Sequence, residues 1–93
     1  MISHLVDFME EKEKIGIVFK YFAKPEVAAI RIESGTLNVG DKISIQGATT
    51  DFEQTVDSME IDNEKVESAG AGQSVGIKTA DRVRPNDIVY KIV

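Results

Sequence analysis

The sequence predicts an all-β fold, a small closed antiparallel Greek-key barrel of six to seven strands, and three observations carry that expectation. Apolar and polar residues alternate over short runs from Ile15 to Val93, glycine or proline separates the runs, and no long helical pattern appears. Closing the sheet removes exposed strand edges from a chain of 93 residues, which has room for one core.

Residues 1–13 are read as an N-terminal extension, a short helix or a disordered segment, and residues 14–93 as the β-barrel domain. Ile2, Leu5, Val6 and Met9 recur at helical spacing before the charged run Glu10-Glu11-Lys12-Glu13-Lys14. A helix this short is marginal in water unless the barrel or another chain covers its apolar face. Ile15 to Phe22 is dense in β-branched and aromatic residues, and Ala23-Lys24-Pro25-Glu26 supplies a turn. In the return strand Ala28, Ile30 and Ile32 share one face, and Val27, Ala29, Arg31 and Glu33 the other.

Ser34-Gly35 and Gly40-Asp41 are turn signals, with Leu37 and Val39 pointing inward between them. Ile43 and Ile45 alternate with Lys42, Ser44 and Gln46 in a strand that stops near Gly47. From Phe52 to Ile61 the inward set begins as Phe52 and Val56 but continues as Met59 and Ile61, a one-residue slip near Ser58 that requires a bulge or bend. Asp62-Asn63-Glu64-Lys65 makes a tight polar turn, Val66 a short strand and Ala69-Gly70-Ala71-Gly72 a further break. Val75 and Ile77 follow, and Ile88 to Val93 is the last strand.

Composition narrows the function classes. Without cysteine there is neither a disulfide framework nor a thiolate metal site, and a cytoplasmic location is expected. The N-terminus lacks a basic region followed by a continuous apolar stretch, and no run approaches the roughly 20 apolar residues of a membrane span. Neither secretion nor a membrane partner is expected. A net charge of −5 disfavours direct RNA binding through phosphates.

No motif announces catalysis. Gly70-Ala71-Gly72-Gln73-Ser74-Val75-Gly76 is a near miss to a dinucleotide loop, but it leads into a strand rather than a helix N-terminus and reads as a turn. A phosphate loop ending in Gly-Lys-Ser or Gly-Lys-Thr is absent, which excludes nucleotide hydrolysis by that mechanism. His4 is the only histidine and has no partner at metal-ligand or nucleophile–base spacing. Seven carboxylates lie between Asp51 and Glu67 with Lys65 alone among them, yet no calcium-loop spacing gathers them. They read as a solvated strand face that repels phosphates and attracts a basic protein surface. No catalytic residue, metal site, cofactor or small-molecule substrate is therefore expected.

The basic residues fall into two groups: Lys78, Arg82 and Arg84 near one loop, and Lys20, Lys24 and Arg31 around the first hairpin. Asp81-Arg82-Val83-Arg84-Pro85-Asn86 is the loop that presents cations, so Lys24, Arg82, Arg84 and Asn86 are the candidate partner-binding residues. Tyr21 and Phe22 are read as core; exposed beside Lys24, either would offer a stacking surface.

The run Ser34-Gly35-Thr36-Leu37-Asn38-Val39-Gly40-Asp41-Lys42-Ile43-Ser44-Ile45-Gln46-Gly47 resembles the second hairpin of domain two in elongation-factor GTPases. Val56 to Ile61, Val66 to Ile77 and Arg84 to Val89 have counterparts there in the same order. The same segments, with Phe52-x-Gln54-x-Val56, are similar to the C-terminal barrel of collagenase-like peptidases, and a barrel standing alone looks like the small translation elongation factor-like proteins. The resemblance implies a non-catalytic binding module that docks on a translation or RNA-modification component, a protein or a ribonucleoprotein. Alternatively, it implies a protein-interaction subunit acting in trans with a collagenase-like peptidase-type enzyme. Lys24-Pro25 replaces the flexible turn of the factors and Ile30 stands where they carry glycine, so no tRNA-binding residue is transferred to this sequence.

Overall fold

A computed structural model describes residues 11–93, and within them every element is a strand. The strands are β1 (Lys12–Phe22), β2 (Val27–Ile32), β3 (Thr36–Asn38), β4 (Lys42–Gln46), β5 (Asp51–Thr55), β6 (Met59–Ile61), β7 (Glu64–Val66), β8 (Ser68–Gly70), β9 (Ser74–Lys78) and β10 (Ile88–Ile92). The apolar stripe Ile2, Leu5, Val6, Met9 and His4 lie outside the described residues.

Eight strands form one antiparallel sheet in the order β5-β4-β10-β1-β2-β9-β6-β7, and β3 pairs with β8 in a separate ladder. That differs from the expected six or seven strands. The excess arises in three-residue elements, β3, β6, β7 and β8, too short to show a period in the sequence. No ladder joins β5 to β7 among the described residues, so strand pairing does not close the sheet. Two ladders run on past their last paired residues: Val39 N–H donates to Glu67 O (2.9 Å) in the register of β3 and β8, and beyond the β4–β5 pairs Val56 both donates to Asp41 O (2.8 Å) and accepts from Gly40 N–H (2.8 Å).

Alternation sets the core. Ala28, Ile30 and Ile32 of β2, Ile43 and Ile45 of β4, and Val75 and Ile77 of β9 are all buried, as period two requires. β1 departs from it: Ile15 and Val18 are buried at a spacing of three, with half-buried Tyr21 packed on the same core. Two register shifts permit this, one between Lys14 and Gly16 against β10 and one between Val18 and Lys20 against β2. At Gly16 the chains approach closely enough that a Cβ would overlap the Arg31 carbonyl oxygen.

Three local readings change. The slip near Ser58 is a break, since residues 56–58 belong to neither β5 nor β6, and each strand keeps its own phase. Ala69, expected in a turn, is a buried β8 residue paired with Leu37, because the second ladder covers this end of the core. Ser44, expected on the polar face, is fully buried between Tyr90 and Glu53 of the flanking strands, where Gln46 Nε2 donates to its hydroxyl (3.1 Å).

Candidate interaction surface

The cation-presenting loop follows β9 and is held by its own backbone. Val83 is buried, Asn86 N–H donates to Val18 O (2.7 Å), and Val18 N–H donates to Asp87 O (2.8 Å). The buried Asp87 carboxylate accepts the Arg84 amide (2.9 Å), and Asn86 takes the left-handed conformation (φ 79°) that asparagine tolerates. A Cβ at Gly47 would overlap that carboxylate, so the β4–β5 turn fits the loop only as glycine.

On this frame Arg82 and Arg84 flank Val83. The Arg82 guanidinium lies 6.0 Å from the Tyr21 ring centroid, and Arg84 Nε donates to Thr49 Oγ1 (3.0 Å). The structure thus brings Arg82, Arg84 and Asn86 to one end of the core beside Tyr21. Lys24 lies in the β1–β2 turn, exposed, with no hydrogen bond or ion pair to a described residue.

Sequence reading missed a second surface on the outer wall of β1, β2, β9 and β6. Phe22, expected in the core, is 43% exposed, and Phe19 is 46% exposed. Phe19 faces outward by alternation from inward Val18; the register shift keeps Lys20 outward as well, so Tyr21 takes the inward position and Phe22 the outer one. The two rings form one wall of an open groove of about 590 Å³. Its floor is Ala29 and Gly76, which pair across β2 and β9, and a Cβ on Gly76 would come within 3.3 Å of Val27 Cγ1. The far wall is Glu60 of β6 with the Asp62-Asn63 turn, whose two left-handed residues (φ 53° and 68°) make the tight hairpin connection.

Charge divides across the groove. Lys20 Nζ lies 5.0 Å from the Phe22 centroid and the Arg31 guanidinium 5.9 Å from that of Phe19, so cations already cover the aromatic side. On the other side Glu60 and Asp62 are exposed and make no ion pair or hydrogen bond with a described residue. The remaining carboxylates between Asp51 and Glu67 are exposed as well, with Glu53 reaching Lys42 (3.4 Å) and Lys12 (3.7 Å). Among the described residues no three His, Cys, Asp or Glu side chains gather as metal ligands, and no helix is long and apolar enough to cross a membrane.

Comparison with known proteins agrees with this architecture. The family described as elongation factor Tu domain 2 matches residues 26–89. A collagenase of Porphyromonas gingivalis is 39% identical over 82 residues, covering 87% of this chain and 23% of the relative. An uncharacterised protease of Methanocaldococcus jannaschii is 41% identical over 80 residues, covering 85% of this chain and 19% of the relative. The chain therefore spans about a fifth of the length of these relatives. Among solved structures, the C-terminal domain of a Geobacillus thermoleovorans protein described as a U32 peptidase superposes with a TM-score of 0.79. It is 20% identical, covering 85% of this chain and 91% of that one.

Proposed function

The chain belongs to the elongation factor Tu domain 2 family, and from that premise we propose that it is a non-catalytic binding module that docks on an enzyme of the collagenase-like type. One observation carries the choice of partner: relatives matching most of this chain at 39 to 41% identity are several times longer and are named as a collagenase and a protease. In them the matching unit accompanies a larger body of protein, and such a unit needs a surface that packs on its neighbour. The exposed rings of Phe19 and Phe22 supply apolar area for that role. A cytoplasmic setting fits a sequence without cysteine.

The same reading wraps the sheet into a barrel. Supporting it, the Gln54 side chain of β5 donates to Lys78 O (2.9 Å) and accepts from Ala80 N–H (2.7 Å), fastening the sheet's free edge to the end of β9 and the residues that follow it.

A second reading, docking on a translation component, is favoured by the family match and by the Arg82–Arg84 pair beside Tyr21, with Lys24 and Asn86 as further contacts. Two measurements separate them. Calorimetric titration against the P. gingivalis collagenase lacking its matching segment is expected to show saturable binding that changes little with salt. Co-sedimentation with ribosomes, lost between about 50 and 200 mM salt as phosphate contacts would require, would replace the first reading with the second.

A further inference from the structure

The groove on the outer wall has a polarity that specifies its occupant. Strand pairing aligns Lys20, Ala29, Gly76 and Glu60 in one row across β1, β2, β9 and β6. Three strand spacings separate its ends, about 14 Å. The row therefore has a cation at one end, two of the smallest side chains in the middle and an anion at the other. Because Lys20 lies against Phe22 and Arg31 against Phe19, the positive charges are engaged by rings, while Glu60 and Asp62 face solvent without a partner among the described residues. What the groove offers a partner is apolar surface on one side and hydrated negative charge on the other.

We propose that this groove binds a segment of a protein partner that carries bulky apolar side chains together with lysine or arginine, its apolar side against Phe19 and Phe22 and its cations toward Glu60 and Asp62. Charge complementarity selects this occupant over the alternatives. A nucleic acid would bring phosphates to an acidic rim on a chain of net charge −5. The chain's own first ten residues are apolar at Ile2, Leu5, Val6 and Met9, but their charged side chains at neutral pH are Asp7 and Glu10, of the same sign as the rim. The small floor matters too: Ala29 and Gly76, with Val27 leaning over the glycine, leave shallow apolar room between the rings and the acidic rim for a bulky side chain. The inference rests on the reading of the chain as a protein-binding module and names the chemistry that module accepts.

The test is selection of displayed random peptides of about ten residues, long enough when extended to cross the four strands, against the whole chain. Selected peptides should pair two or more bulky apolar residues with Lys or Arg and perturb amide resonances of Phe19, Phe22, Ala29 and Gly76. Reversing the rim with Glu60→Lys and Asp62→Lys should weaken them by at least about tenfold, because like charges then face each other. Filling the floor with Ala29→Trp should abolish binding while the remaining amide spectrum shows the protein folded. An acidic consensus, resonance changes confined to residues 81–86, indifference to both variants, failure to enrich any peptide, or preferential capture of a poly(U) oligonucleotide would overturn the proposal. If the groove fails these tests but the chain still titrates the truncated collagenase, the module stands and docks elsewhere; if both fail, the module reading falls with it.

Discussion

At the loop end of the molecule Arg82 and Arg84 extend from a backbone bonded to both the amide and the carbonyl of Val18, and each cation already has an internal neighbour, Tyr21 or Thr49. On the side wall the rings of Phe19 and Phe22 are exposed and the carboxylates of Glu60 and Asp62 have no described partner. The loop is conspicuous in sequence and largely satisfied in structure; the wall is the reverse. Cations lie against rings in both regions, and what sets the wall apart is exposed apolar area that strand pairing brings beside carboxylates.

The sharpest way to break this contrast is at Gly47. Because a Cβ there overlaps the Asp87 carboxylate, Gly47→Ala must displace the side chain that holds the Arg84 amide. We expect a loss of about 3 kcal/mol in urea unfolding, at the upper end for overpacking. At temperatures where the variant remains folded, resonances of Phe19, Ala29 and Gly76 should stay in place. A variant as stable as the parent would mean that the loop end is not the rigid frame described. Asp87→Ala should cost less, about 1–2 kcal/mol, because it leaves the Arg84 amide unpaired without forcing anything apart.

How much of this was legible in sequence follows from which residues interact locally. The inward sets Ile30–Ile32, Ile43–Ile45 and Val75–Ile77 repeat with period two, and the Asp62-Asn63 turn is encoded by the two residues that adopt it. Phe22 and Ala69 were misread because their environments depend on other segments: a register shift against β2 in one case, pairing with β3 in the other. The closed barrel was an inference from strand spacing, whereas the ladders leave β5 and β7 as ends. The groove could not be read at all, since Lys20, Ala29, Gly76 and Glu60 are unremarkable singly and become neighbours only through three ladders. Of the candidate residues, Arg82, Arg84 and Asn86 could be grouped because they are adjacent in the chain. Lys24, assigned in sequence to the first hairpin, lies in its turn.

Just after β9, Thr79 has its amide bonded to Glu26 O (2.9 Å) and its buried hydroxyl without a partner among the described residues. Thr79→Val keeps the shape and removes the orphaned group. It should stabilise the protein by about 1 kcal/mol, the lower end of the cost of a buried unsatisfied group. Destabilisation would show that the hydroxyl has a partner in solution, such as a bound water. A smaller coupling, about 0.5 kcal/mol, is expected between Arg82 and Tyr21 in a double-mutant cycle, as for other exposed cation–ring contacts.

The substitution that bears most on function is at the side wall. Phe19 and Phe22 lie outside the core cluster, and 46% and 43% of their surfaces remain open to water. Replacing both with serine removes the ring contacts of Arg31 and Lys20, which at exposed sites are worth about 0.5–1 kcal/mol each. More than half of each ring is buried on folding and that burial is lost as well, so the double variant should be destabilised by about 2 kcal/mol in urea unfolding. Without denaturant, the still-folded variant should no longer bind the peptides selected against the parent chain; binding equal to the parent's would strip the side wall of its claim as the docking face.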